Sequence, residues 1–135
     1  MIGIGVMIGQ LEGGTESSLV YSNALQKTIS DLVLGQDDQL HFSFSDGSKI
    51  VLYDDGQSCC ESRYMQTDDI LTDFLGSKFL GVTIKYAPNI VSDDEWIEHE
   101  VQFLEILTSK GSITLSTHNE HNGYYGGFNI VMGED

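Results

Sequence analysis

The sequence predicts an α+β domain that is mostly β: an antiparallel sheet of about seven strands with one or two short helices. Three observations lead there. Period-two alternation recurs in short segments separated by turn residues. Helical spacing occurs in only two stretches. Hydrophobic residues make up 40% of 135 residues, enough for one core in a chain too short for two.

The elements follow in chain order. Ile2 to Ile8 has strand character, weakened by its glycines, and Gly13-Gly14 breaks the chain. Thr15 to Gln26 holds a short helix capped by Thr15 or Ser17. Ile29, Asp31 and Val33 then alternate with Ser30, Leu32 and Leu34, and Gly35 to Asp38 turns the chain. Leu40, Phe42 and Phe44 alternate with His41, Ser43 and Ser45 in a half-buried strand. Asp46-Gly47 is a hairpin turn, and Ile50 and Leu52 carry the returning strand, completing a three-stranded meander. Thr67-Asp68-Asp69 starts a helix with acid at the positive end of its dipole. Its apolar stripe is Ile70, Leu71, Phe74 and Leu75, and Gly76 stops it. Phe79 to Tyr86 returns to strand. Pro88, the one proline, sits in an acidic loop reaching about Glu95. Trp96 to Thr108 is a long strand, Ser109-Lys110-Gly111 turns, and Ile113 and Leu115 alternate with Ser112, Thr114 and Ser116. Tyr124 to Met132 is the last strand.

Charge narrows the partners. Six Lys and Arg against 21 Asp and Glu give a net charge of −15, which repels nucleic-acid backbones. Such acidity serves solubility, or it imitates phosphates in the basic groove of another protein. Cys59 and Cys60 are adjacent, a poor geometry for a disulfide, and a reducing cytoplasm is their simplest home. The opening MIGIGVMIGQ is apolar but short, with no basic leader or cleavage site, so it is not read as a signal peptide. No stretch approaches a membrane span.

Two constellations carry chemistry. In Asp54 to Tyr64, Arg63 is the chain's one arginine. It either pairs with Glu61 or an aspartate, or grips a carboxylate or phosphate on a ligand. One of Cys59 and Cys60 is read as a small buried hydrophobe. His118 to Phe128 gathers two His, two Asn, one Glu, three aromatics and three Gly in eleven positions. Its Asn122-Gly123 is a turn signal. Tyr124, Tyr125 and Phe128 either stack on a ring or pack in the core. The expected ligand-binding set is Cys60, Glu61, Arg63, Tyr64, His118, Asn119, Glu120, Asn122, Tyr124 and Tyr125. A metal alternative uses His118, His121 and Cys59 or Cys60. His41 and His99 lie in strands and are read as facing solvent or an edge, and Trp96 as a core anchor. No nucleophile elbow or HExxH motif is present.

Cys59-Cys60-Glu61-Ser62-Arg63-Tyr64 together with Asn122-Gly123-Tyr124-Tyr125 resembles a family of small bacteriophage and prophage proteins described as a domain of unknown function. The resemblance covers about the last two thirds, from the strand before Asp46-Gly47 to Ile130. The reading is of one domain, with a variable segment 1–26 and a β-rich core over 27–132. The resemblance implies action in the cytoplasm of an infected bacterium. It also suggests an architecture similar to the Thoeris anti-defence sponge proteins, which sequester nucleotide second messengers.

The reading favoured by these residues is a non-enzymatic, counter-defence binding protein that sequesters a small polar, nucleotide-type ligand and needs no cofactor. The alternatives are an acidic nucleic-acid mimic that inhibits a basic host protein, and a metal-dependent enzyme. Neither direct nucleic-acid binding nor membrane attachment is expected. Strand edges on a small domain allow a homo-oligomer. The favoured reading requires segments 59–64 and 118–128 to share one patch.

Overall fold

The computed structural model describes residues 16–54, 61–85, 98–121, 128 and 130–135. Its chain order is helix α1 (Glu16–Ala24), β1 (Ile29–Leu34), β2 (Leu40–Phe44), β3 (Lys49–Asp54), β4 (Glu61–Gln66), a 3₁₀ turn (Leu71–Phe74), β5 (Phe79–Lys85), β6 (Glu98–Thr108), β7 (Gly111–His121) and β8 (Ile130–Glu134). The strands form two antiparallel four-stranded sheets, ordered β1-β2-β3-β8 and β4-β7-β6-β5. The domain is therefore mostly β, with the meander at 29–54 in place.

Alternation drives the assembly. In β2, Leu40, Phe42 and Phe44 are buried while His41 and Ser43 are not. Leu104, Ile106, Ile113 and Leu115 answer them from the second sheet, and both sets belong to one hydrophobic cluster. Phe79 anchors the joint between the sheets. Its ring meets Phe42 at 5.5 Å and Tyr21 of α1 at 6.0 Å, both edge-on.

The sheets are stitched along the β1/β5 side. Gln26 N donates to Phe79 O at 2.7 Å, Phe79 N to Lys27 O at 2.9 Å and Ile29 N to Ser77 O at 2.8 Å. Gly81 is fixed there by space and conformation. Its φ is +142°, and a Cβ would lie 2.7 Å from the Tyr21 hydroxyl, which accepts from Val82 N.

The helix expected from Thr67 shrinks to the four-residue 3₁₀ turn. Its intended cap side chains serve β7 instead. The Thr67 hydroxyl donates to Thr114 O at 2.7 Å, and the Asp69 carboxylate accepts from Thr114 N at 2.7 Å. No side chain caps the turn, and Gly76 ends it at φ +84°. The last strand is described over Ile130–Glu134; the rest of the stretch expected from Tyr124, apart from Phe128, lies outside the described residues, as do 1–15 and 96–97.

β6 and β7 form a hairpin eleven residues long on each side, paired in unbroken register from Thr108↔Gly111 to Glu98↔His121. Its inward face changes character along its length. Near the turn it presents Ile106, Leu104, Ile113 and Leu115. At the far end it presents Gln102, Thr117, Glu100 and Asn119, all buried.

Candidate functional site

β4 pairs antiparallel with that far end of β7: Ser62↔Glu120, Arg63↔Asn119, Tyr64↔His118 and Met65↔Thr117. The two chemistry-bearing segments of the sequence are thus neighbours in their described parts. The strand pleat then divides them. Paired residues share a face, and successive residues alternate. Tyr64, His118 and Glu120 lie on the outer face, where His118 and its pair Val101 are nonetheless buried, whereas Arg63, Asn119, Met65 and Thr117 lie on the inner face.

The outward group is a hydrogen-bonded aromatic cluster. The rings of Tyr64 and His118 stack in parallel, 4.6 Å apart with 6° between planes. His99 on β6, opposite Glu120, joins them through His99 Nε2 and His118 Nδ1 at 2.9 Å. The Tyr64 hydroxyl donates to Glu120 Oε2 at 2.8 Å.

The Gln66 carbonyl only accepts, so the Ser116 hydroxyl donates to it at 3.2 Å. Ser116 Oγ must then accept from His118 Nε2–H at 2.9 Å. In neutral His118 this leaves Nδ1 as an acceptor, filled by His99 Nε2–H.

Burial lowers the pKa of His118, and the neighbouring His99 adds to the effect. Burial and the bond to Glu120 push Tyr64 up to about 12, so it remains a phenol. His99 and Ser116 are the members that sequence reading missed. Counting back across the hairpin from Thr108↔Gly111 would have placed His99 opposite Glu120.

The inward group is built on charge. Arg63 Nη1 bonds both carboxylate oxygens of Asp54 at 3.0 Å, and both side chains are buried, 8% and 4% exposed. Of the two roles expected for Arg63, the ion pair is the one seen, and its partner is Asp54. A cavity of about 260 Å³ opens beside this pair, lined by Asp37, Asp38, Tyr53, Asp54, Arg63 and Met65, and Tyr64 borders it as well.

Cys59, Cys60, Asn122, Tyr124 and Tyr125 lie outside the described residues, as do the side chains of Glu61 and His121. Phe128 is 1% exposed and belongs to the core. Among the described residues no group of three or more His, Cys, Asp or Glu is placed to hold a metal ion, and no helix is long and apolar enough to cross a membrane.

A family model for a domain of unknown function, DUF7448, matches residues 22–131. The chain belongs to this family. The match begins within α1 and so reaches further toward the N-terminus than the strand before Asp46-Gly47. Neither the curated proteins nor the solved structures yield a match.

Two predictions follow from the charges. Asp54→Asn and Arg63→Met should each cost about 3–5 kcal/mol in urea unfolding, because each leaves the other partner buried without its counterpart. The double variant should cost less than the sum of the two, and strict additivity would contradict the coupling.

The second prediction concerns pH. His41 stands between Asp135, 2.6 Å from Nδ1, and Asp37, 3.0 Å from Nε2. The bond to Asp135, aided by Asp37, raises its pKa above the ordinary 6.5. Its contribution to stability is full below 6.5 and fades as pH rises through the raised value. His118 behaves oppositely. Its contribution is full above 6.5 and is lost as pH falls toward its lowered value. Denaturation midpoints measured from pH 5 to 8 should therefore show His118→Gln weakening the loss on acidification and His41→Gln weakening the loss on alkalinisation.

Proposed function

We propose that this protein is a non-enzymatic binding protein that sequesters a small polar, nucleotide-type ligand. The observation that carries the reading is the β4–β7 pairing, which gathers Tyr64, His118 and Glu120 from distant parts of the chain into one outward patch. Aromatic rings tolerate many ring partners, and each stacked base is worth about 1–3 kcal/mol. Such a platform captures a ring without needing a catalytic group. In the setting implied by the phage resemblance, the protein would act in the host bacterial cytoplasm and remove a nucleotide-derived defence signal.

The net charge of −15 favours a second reading, capture of a basic host protein. That reading predicts a complex from host lysate that dissolves as salt is raised.

The test is titration calorimetry of the full chain with nucleosides, nucleotides, cyclic nucleotides and ADP-ribose. At least one should bind, and Tyr64→Ala should weaken it about tenfold or more, in line with the loss of one stacked ring. Absence of heat across the panel, or unchanged affinity in Tyr64→Ala, would contradict the proposal.

A further inference from the structure

We infer that His41 is a proton-operated latch on the cavity that Arg63 and Tyr64 share, holding the cavity's mouth in shape while its ring is charged and releasing it when the ring is neutral. This rests on the binding reading above and supplies its regulation, since Tyr64 borders that cavity.

The latch follows from donor geometry. His41 stands on the face of β2 opposite the buried Leu40, Phe42 and Phe44. Beside it in register are Val33 of β1 and Val51 of β3, neither of them charged. The charges acting on the ring are two carboxylates: Asp135 after β8, 2.6 Å from Nδ1, and Asp37 in the β1–β2 turn, 3.0 Å from Nε2. An ionised carboxylate only accepts. Both contacts are therefore hydrogen bonds only when both ring nitrogens carry hydrogen, which is the imidazolium. A neutral ring keeps one N–H and sets a lone pair against the other carboxylate. The remaining proton belongs on Nδ1, where the shorter bond is, so Asp37 is the partner let go.

Asp37 connects the ring to the cavity. Asp37 and Asp38 are exposed and form its mouth, whereas Asp54 and Arg63 are buried at its floor. The turn is wound tightly around the Asp37 carboxylate. Oδ1 accepts from Gln39 N at 3.1 Å, and a Cβ on Gly35 would lie 2.5 Å from the same oxygen. Asp38 follows at φ +60°. Burial and the neighbouring Asp37 charge already raise the pKa of Asp38. An Asp37 freed from its cation thus adds to a like charge at the mouth.

The sign is fixed by His41. Its pKa is raised above 6.5 by Asp135 and then Asp37, so the latch is closed below 6.5 and opens as pH rises through the raised value. An anionic ligand is held at the lower pH and released at the higher.

The test starts without ligand. Amide and imidazole spectra of the labelled full chain are followed from pH 6 to 9.5. The His41 ring, the amides of Gly35 to Gln39 and the amide of Tyr64 should shift with one common midpoint. His41→Gln should abolish the transition in the turn and at Tyr64, and Asp135→Asn should move all the midpoints to lower pH together. A His41 ring that titrates while the turn and Tyr64 stay still would overturn the latch, as would a turn transition that survives in His41→Gln. Calorimetry with AMP, GMP, CMP and ADP-ribose then reads the ligand. Affinity should fall about three- to fivefold between pH 6.5 and 9 in the wild type, the size of one partly exposed ion pair, and stay level in His41→Gln. An equal fall in both proteins would contradict the inference alone. If the spectra behave as expected and none of the four binds, the latch stands and the binding reading is the one contradicted.

Discussion

The register of β7 between β4 and β6 is the constraint on which the molecule depends. Eleven consecutive pairs tie β7 to β6, and six tie it to β4. A slip of one residue would move every side chain of β7 to the opposite face. Leu115 and Ile113 would leave the core, Asn119 would face solvent, and the His118 ring would be driven inward beneath Tyr64. The apolar packing near the hairpin turn and the polar cluster near its open end are therefore fixed by the same set of backbone bonds.

The two faces of β4 and β7 solve different problems. Inward, Asp54, Arg63, Glu100, Gln102, Thr117 and Asn119 are buried where a sandwich would ordinarily be filled with aliphatic side chains. Polar interiors of this kind add little net stability, because desolvation offsets most of the Coulomb attraction. What they supply is selectivity among pairings: a shifted strand would strand a charge in an apolar layer. The Thr117 hydroxyl, fully buried, has no hydrogen-bond partner among the described residues. Outward, the same strands carry a cluster whose hydrogen bonds close on one another. Arg63 is held by its buried pair with Asp54, and Tyr64 by its stack on His118.

Much of the fold was legible in the sequence. The 29–54 meander was readable because its alternation is strict and Asp46-Gly47 marks the turn. The helix from Thr67 was misjudged for a tertiary reason: Thr67 and Asp69 have cap chemistry, but Thr114 competes for both. The site was half legible. Composition drew attention to 59–64 and 118–128, yet composition does not say which face of a strand a residue occupies. The pleat sets Arg63 and Tyr64 on opposite sides of β4, yet both line the cavity beside Asp54. His99 stayed hidden because its partners, His118 and Tyr64, lie 19 and 35 positions away. Only the pairing of three strands brings them together.

The claim most exposed to test is the proton order of the outward cluster, since its closed chain of hydrogen bonds depends on it. Long-range ¹H–¹⁵N correlation spectra of the uniformly labelled protein at pH 7.5 report the tautomer of each histidine directly. The account predicts that His99 and His118 each carry their ring proton on Nε2, with the Nδ1 nitrogens resonating as unprotonated acceptors. A His118 proton on Nδ1, or rings averaging between tautomers like free imidazole, would contradict it.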